Sequence, residues 1–178
     1  MGLPNSLGKH QTLPIPLYEP NTYYIGIDEV ARGCLAGPVV ACAVCLDINK
    51  LNNLINSTSY SAVDNAYNHH IPIIADSKKL TPLQRANANN WIRQYSLSIG
   101  IAEADVNEID TMNIRNATFL AMSRALSKCL KQLFTALSIT PKIIDSSVQI
   151  NSPDVKIIVT IDGNAFRVSD EFRQELLK

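Results

Sequence analysis

Three acidic residues stand where apolar segments with the composition of strands come to an end. The strand predicted over Tyr23–Asp28 ends at Asp28, with Glu29 next to it, and a β-branched run over Val155–Ile161, predicted as a buried strand, stops at Asp162. Oxygen ligands without a nearby histidine or cysteine suit Mg²⁺ or Mn²⁺ better than zinc. Because such ions bind substrate phosphates, the pattern predicts metal-assisted phosphoryl transfer at Asp28, Glu29 and Asp162.

The same acids also have a purely structural interpretation. An Asp-Glu pair after a strand and the Asp162-Gly163 pair are both ordinary turn signals. The metal site requires the two strands to be parallel neighbours, since only then do their carboxyl ends lie together at one edge of the sheet.

Small residues and a cation follow the first two acids directly. Gly33 and Gly37 would let the backbone approach a ligand closely, and Arg32 could hold a phosphate in a forked geometry. The alternative is a tight loop with Arg32 in solvent. A nucleotide P-loop is not supported, because the pattern G-x-x-x-x-G-K-[ST] is absent from the sequence.

A second cationic segment, Asp76–Thr81, places two lysines beside a predicted helix start. Backbone amides, a helix dipole and lysines together would hold a phosphate, although this stretch taken alone favours a capped surface helix. The pair His69-His70 lies in a polar stretch. Adjacent histidines cannot easily turn toward one metal, so we do not assign them as ligands.

The elements that must position these residues alternate along the chain. Because strands come first and then alternate with helices, we predict an α/β fold with a mixed sheet. The further predicted elements are strands at Val39–Leu46 and Leu97–Ala102, a helix from Thr81-Pro82 to about Gln94, and an amphipathic helix that follows Asn113.

Length and composition indicate one folded unit. The chain has 178 residues, of which 46% are hydrophobic, enough for a single core. We predict a flexible leader over residues 1–20 and a folded domain over residues 21–178, with a loop insertion at 47–72. Its 16 basic residues balance 16 acidic ones, so a polyanion would have to be bound by a local patch.

Cysteine usage and hydropathy indicate a compartment. Cys42 and Cys45 would lie on opposite faces of a strand, which suits core thiols in a reducing environment better than zinc binding or a disulfide. No signal peptide and no apolar run of membrane length is visible in the sequence. We therefore predict a cytoplasmic protein without a membrane partner.

Four segments in order resemble the signature blocks of type 2 ribonuclease H (ribonuclease HII). The resemblance is carried by Gly26–Gly33 with Leu35–Val40, by Asp76–Leu80 with Arg85 after it, by Ile109-Asp110, Asn113-Ile114, Ala117-Thr118 and Ala121-Met122, and by Ile161–Asn164. It implies a ribonuclease H-like fold, a central mixed β-sheet flanked by helices. It also implies a monomeric endonuclease of DNA replication and repair, which hydrolyses RNA in RNA/DNA hybrids and ribonucleotides embedded in DNA.

The resemblance further implies a role for each matching residue. Asp28, Glu29 and Asp162 match family ligands of Mg²⁺ or Mn²⁺. Ala31, Arg32 and Gly33 match a Gly-Arg-Gly turn whose backbone reads the ribose 2′-hydroxyl. The remaining implied substrate contacts are Lys78 with a phosphate, and Asn113 and Asn116 with polar groups of the substrate.

Two departures from the family pattern affect these expectations. Ala31 stands where the family usually has glycine, so its Cβ could crowd the sugar or force another φ at the turn. The family also continues to a fourth catalytic aspartate, which neither Asp170 nor Glu171 matches. The alternative function is therefore a non-catalytic or degenerate hybrid-binding domain. Another nuclease or integrase of the same fold is a third reading, although the turn and the Asp76–Leu80 block argue against it.

Overall fold

The structure, a computed structural model, describes residues 19–34, 36–57, 72–144, 147–150 and 155–161, together with Phe172. Several sequence predictions lie outside these residues. They concern the leader up to residue 18, the pair His69-His70, the acid Asp162, and the tail acids Asp170 and Glu171.

Six strands and three helices form the described part of the chain. The strands are Thr22–Val30 (β1), Val39–Leu46 (β2), Ser96–Ala104 (β3), Pro141–Ile144 (β4), Ser147–Ile150 (β5) and Lys156–Ile161 (β6). The helices are Ile48–Ser57 (α1), Pro82–Tyr95 (α2) and Val106–Ala136 (α3), and a 3₁₀ turn covers Ser77–Lys79.

Four of the strands form one mixed sheet in the order β3-β2-β1-β6. Strand β2 is antiparallel to both β1 and β3, whereas β6 is parallel to β1. Strands β4 and β5 pair with each other in a separate antiparallel hairpin. The predicted α/β class with a central mixed sheet and flanking helices is confirmed.

One face of the sheet packs against α3 and forms the core. Side chains in β2 alternate between buried and half-buried, as expected for a strand whose one face is covered. Small residues dominate the covered face, so the helix approaches the strands closely. They are Ala41, Ala43, Gly100, Ala102 and Ala104, and α3 contributes Ala117, Ala121, Ala125, Leu126 and Cys129.

The other face of the sheet lies beside α2. Val44 and Ile99 from the sheet and Ala88 and Ile92 from α2 border an apolar cavity of about 280 Å³. The predicted start of α2 is confirmed. Thr81 caps the helix, because its hydroxyl accepts from the Gln84 amide at 3.3 Å while the Gln84 side chain accepts from the Thr81 amide at 2.8 Å.

Two expectations from the sequence need correction. Residues 47–72 were expected to form a loop insertion, but α1 occupies Ile48–Ser57, with the Lys50 amide donating to the Asp47 carboxylate at 3.1 Å. Residues 58–71 lie outside the described part. Strand β6 was expected to be buried, yet its residues are half-buried or exposed, because β6 is the outer strand of the sheet as described.

The cysteines are reduced and mostly internal. Cys45 and Cys129 are buried, Cys42 is half-buried on the opposite face of β2 from Cys45, and Cys34 is exposed. Burial raises the pKa of the Cys45 thiol to about 12, so this group stays protonated at neutral pH. The prediction that Cys42 and Cys45 lie on opposite faces of a strand is confirmed. Among the described residues, no helix has the length and apolar character of a membrane span.

An ion pair ties the first turn of α3 to its middle. Arg124 donates to both carboxylate oxygens of Glu108, at 2.9 and 2.7 Å, and also to the carbonyl of Glu103 at 3.1 Å. Glu108 additionally accepts from the amide of the N-cap residue Asp105 at 2.9 Å. The hydrogen bond from Arg124 is the main reason that the pKa of Glu108 lies below its usual value of 4.5.

This pair predicts an acid-dependent loss of stability. A carboxyl group with a lowered pKa in the folded state stabilises the fold fully above about pH 4.5, and its contribution disappears as the pH falls through the lowered value. Glu108→Gln keeps an acceptor for the Asp105 amide but removes the charge. We expect it to lower the free energy of unfolding by about 0.5–1 kcal/mol at pH 7, because the pair is partly exposed.

Urea unfolding at pH 7 and pH 3 measures this effect. The difference between Glu108→Gln and the unmodified chain should shrink at pH 3. The control is Glu103→Gln, which removes an exposed glutamate from β3 and should change little at either pH. A Glu108→Gln deficit that is equally large at pH 3 would show that the charge is not the cause.

Candidate active site

The parallel pairing of β1 and β6 brings the ends of two acid-bearing strands together. Ile27 pairs with Ile161, so the residue before Asp28 lies beside the last described residue of β6. The predicted metal site requires these two strands to be parallel neighbours, and the structure shows that they are. Asp162 follows Ile161 in the chain but lies outside the described residues.

Asp28 and Glu29 belong to the strand itself. The sequence predicted a strand end at Asp28, but β1 continues to Val30, which pairs with Val40 of β2. Successive residues of a strand point to opposite faces. Asp28 therefore lies on the face opposite α3, across from Cys42, whereas Glu29 is on the face that carries the buried Ile25 and Ile27.

Both acids nevertheless border one cleft of about 550 Å³. Asp28 is exposed and accepts a hydrogen bond from the Glu29 amide at 2.7 Å. The Glu29 carboxylate lies 3.6 Å from the guanidinium of Arg32, whose side chain is 54% exposed. Arg32 thus already neutralises part of the acidic charge, and its exposed side chain has space to turn toward an anion.

The turn after β1 holds an alanine in a conformation that favours glycine. The Cys34 amide donates to the Ala31 carbonyl at 3.3 Å, which closes the turn over Arg32 and Gly33. Ala31 has a φ of 72°, in the left-handed region where a Cβ is unfavourable. For alanine at this position we expected either a Cβ that crowds the sugar or an altered φ. The altered φ is present.

This strain predicts that Ala31→Gly stabilises the protein. Glycine adopts the left-handed region without the penalty of a Cβ, so the free energy of unfolding should rise by about 1 kcal/mol. The matched control is Ala75→Gly, an exposed alanine of another loop, where φ is not positive and glycine should slightly destabilise the fold. Urea unfolding of both variants is the measurement, and equal effects of the two substitutions would contradict the explanation.

Cations that border the same cleft come from the 3₁₀ turn and from α2. Ser77, Lys78 and Arg85 border the cleft together with Asp28 and Glu29. Asp76 starts the turn, since its carboxylate accepts from the Lys78 amide at 3.1 Å. The predicted cationic segment therefore lies next to the acidic one, and Lys78, a predicted phosphate-binding residue, reaches this cleft while Lys79 is not among its lining residues.

Arg85 and Ser77 were not assigned a site role from the sequence. The sequence identified Arg85 only as a part of the second family block. Nothing in the residues around it indicates that it borders the same cleft as Asp28. Its distance of seven residues from Lys78 spans the junction between the 3₁₀ turn and α2. Both Lys78 and Arg85 border the cleft although they belong to different elements, which a sequence periodicity cannot indicate.

Asn113 and Asn116 are not among the residues that line this cleft. Asn113 has non-helical angles, φ 70° and ψ 160°, and interrupts α3. Its side-chain oxygen accepts from the amides of Arg115 and Asn116, both at 3.1 Å, and so caps the longer second part of the helix. Asn116 donates to the Met112 carbonyl at 3.0 Å. Substrate contact by either asparagine stays a prediction.

The described residues include two of the three carboxylates that were predicted to bind a metal, Asp28 and Glu29. No group of three or more histidine, cysteine, aspartate or glutamate residues that could hold a metal ion occurs within the described ranges. The donors present fit a hard divalent cation, because Asp28 and Glu29 offer only carboxylate oxygens at the border of an open, water-accessible cleft. A third oxygen ligand would have to come from a residue outside those ranges.

Comparison with known proteins supports the resemblance to ribonuclease HII. The chain is 41% identical over 104 residues to the ribonuclease HII of Thermosynechococcus vestitus. It is 39% identical over 149 residues to that of Staphylococcus epidermidis, and 34% identical over 162 residues to that of Delftia acidovorans. These alignments cover 58%, 81% and 90% of this chain. The predicted resemblance is confirmed.

The chain spans about half the length of the curated relatives it matches. The aligned part is 40% of the Thermosynechococcus protein, 46% of the Staphylococcus protein and 51% of the Delftia protein. No protein-family model matches the chain. Among solved structures, Bst-RNase HIII in complex with Mn²⁺ superposes with a TM-score of 0.42 and 19% identity, over 88% of this chain and 41% of that one.

Proposed function

We propose that this chain acts in the metal-assisted hydrolysis of RNA strands in RNA/DNA hybrids and of ribonucleotides embedded in DNA. The observation that carries the proposal is the cleft that joins Asp28 and Glu29 to Lys78 and Arg85. A phosphodiester held by a divalent cation on one side and by a lysine on the other fits this distribution of charge. The similarity to proteins named ribonuclease HII supports the same reaction.

In this proposal Asp28, Glu29 and Asp162 hold Mg²⁺ or Mn²⁺. When bound, the metal would lower the pKa of a water molecule and stabilise the negative charge on the leaving 3′-oxygen. The support for Asp162 is its position directly after Ile161, the strand partner of Ile27. Glu29 would hold the metal in place of its ion pair with Arg32, and Arg32 would then be able to contact a phosphate.

Substrate recognition falls to the backbone beside the acids and to polar side chains around them. The turn Ala31–Gly33 is separated from Glu29 by Val30 alone, so its backbone groups would be close to a sugar whose phosphate lies at Asp28. Contacts to the 2′-hydroxyl there would distinguish RNA from DNA. Lys78 pairs with a phosphate, and Asn113 and Asn116 contact the substrate further along. A monomer suffices for this arrangement, since each proposed residue belongs to one chain.

The alternative is a domain that binds hybrids without cutting them. Its support is in the sequence, where neither Asp170 nor Glu171 matches the fourth catalytic aspartate of the family pattern. Binding would then rely on Lys78, Arg32 and the turn Ala31–Gly33. Binding to a hybrid without metal-dependent cleavage would support this alternative.

Cleavage of a labelled DNA duplex that contains one ribonucleotide tests the proposal. With Mg²⁺ or Mn²⁺ we expect a single cut at the ribonucleotide, no cut in an all-DNA duplex of the same sequence, and no cut with excess chelator. A full-length relative such as the Staphylococcus epidermidis ribonuclease HII serves as the positive control. No cleavage and no binding by this chain under conditions where the relative is active would contradict the proposal.

A further inference from the structure

Arg85 is tied to the turn that carries the cleft lysine. Its Nη1 atom donates to the carbonyl of Leu80 at 2.6 Å and to the carbonyl of Ser77 at 3.3 Å. One acceptor lies at the start of the 3₁₀ turn and the other directly after its end. A single guanidinium nitrogen on α2 therefore holds both ends of the turn with hydrogen bonds from a charged donor.

The other contacts that support the turn are local hydrogen bonds. The Lys79 amide donates to the Asp76 carbonyl at 2.9 Å, the Leu80 amide to the Ser77 carbonyl at 3.3 Å, and the Lys78 amide to the Asp76 carboxylate at 3.1 Å. No residue of the turn Ser77–Lys79 is buried. Because a 3₁₀ turn of three residues has poor intrinsic stability, contacts from outside decide its conformation.

The conformation of the turn selects which lysine reaches the cleft. Lys78 borders the cleft with Asp28 and Glu29, whereas the adjacent Lys79 does not. In a 3₁₀ turn neighbouring side chains point about 120° apart, so a small rotation of the turn would move Lys78 away from the cleft. The two Arg85 hydrogen bonds oppose such a rotation.

We propose that Arg85 is a positioning residue that fixes the 3₁₀ turn so that Lys78 is presented to the substrate phosphate. This inference rests on the proposed function for the identity of the ligand. Arg85 also borders the cleft itself, so direct contact with the substrate is the competing explanation. Its effect on binding must therefore be separated from that of Lys78.

A double-substitution cycle makes this separation. Affinity for an RNA/DNA hybrid is measured in chelator, for the unmodified chain and for Lys78→Ala, Arg85→Gln and the double variant. We expect Lys78→Ala to weaken binding about tenfold and to lower the salt dependence by about one phosphate contact. Arg85→Gln alone should weaken binding of the hybrid nearly as much as Lys78→Ala. In the Lys78→Ala background it should have almost no further effect on affinity, because Arg85 acts by positioning Lys78.

Three matched variants complete the set. Lys79→Ala removes the neighbouring lysine that does not border the cleft. Arg93→Gln removes an arginine of the same helix that bonds to Asn89 and not to the turn. Both should leave affinity unchanged within about twofold. Arg85→Lys retains the positive charge without the planar guanidinium, and it should restore only part of the affinity if holding the turn is what matters.

Hydrogen exchange of the backbone provides a readout that does not depend on the substrate. Arg85→Gln should speed exchange in the segment covering residues 76–80, whereas Arg93→Gln should not. Normal exchange there, or additive losses of affinity in the cycle, would overturn the proposal. If the unmodified chain does not bind the hybrid, the proposed function fails, and faster exchange in Arg85→Gln still shows that Arg85 holds the turn.

Discussion

Replacing Asp28 by asparagine is expected to lower metal-dependent cleavage of a ribonucleotide-containing duplex by at least about 100-fold. Mutation of residues that only hydrogen-bond to metal ligands already lowers metal affinity or activity by about 10- to 100-fold. Asparagine has nearly the shape of aspartate, and its side-chain oxygen can still accept the hydrogen bond from the Glu29 amide, which is 2.7 Å long in the structure. The substitution therefore removes the negative charge while leaving the strand end intact. The loss would report on metal binding and not on folding.

Cleavage rates over a range of Mn²⁺ concentrations, together with direct titration of Mn²⁺ binding, provide the measurement. Asp28→Asn should bind the metal more weakly as well as cut more slowly. Glu103→Gln is the control, because Glu103 is an exposed acid on β3 that does not border the cleft. Unchanged cleavage in Asp28→Asn would remove this residue from the proposed metal site.

Gly100→Ala is expected to produce the largest loss of stability, about 3 kcal/mol in the free energy of unfolding. A Cβ at position 100 would lie 1.9 Å from the Ala125 carbonyl oxygen and 2.6 Å from the Cys129 amide nitrogen. Both atoms belong to the backbone of α3, so no side chain can rotate to relieve the clash. The helix would have to move away from the sheet, which loosens the core along β2 and β3.

Gly26→Ala is the matched control for this substitution. Gly26 lies in β1 of the same sheet, and among the described residues nothing comes within 4 Å of a Cβ placed there. Its effect on the free energy of unfolding should stay below about 1 kcal/mol, which is the usual difference between glycine and alanine in a strand. Urea unfolding of both variants is sufficient. A comparable loss in both would mean that close packing against α3 is not the reason for glycine at position 100.

Local patterns predicted several elements with accurate bounds. Strand β2 occupies Val39–Leu46 as expected, because an uninterrupted apolar run between turn residues leaves few alternatives. Helix α2 starts at Pro82 after the Thr81 cap and ends at Tyr95, one residue beyond the expected end. In both cases the signal lies within a few residues of the boundary, so local chemistry decides it.

Two other boundaries differ from the expected ones. One depends on a capping box earlier in the chain, and the other depends on a strand partner elsewhere in the sequence. Helix α3 was expected only after Asn113, but it starts at Val106, where Asp105 and Glu108 form a capping box. That signal was present in the sequence, and Asn113 interrupts the helix without ending it. Strand β1 continues to Val30 because it pairs with Val40 of β2, a contact that no local pattern of β1 contains.

By itself the sequence determined which residues could do chemistry: Asp28 and Glu29 after one apolar segment, Asp162 after another, and Lys78 in a cationic turn. Only the tertiary structure decided which of them meet. The parallel pairing of β1 with β6 joins positions more than 130 residues apart in the chain, and the turn held by Arg85 brings Lys78 to the same cleft as Asp28. Such contacts arise from the packing of whole elements on a common core, and their energy is shared among many residues that are distant in sequence.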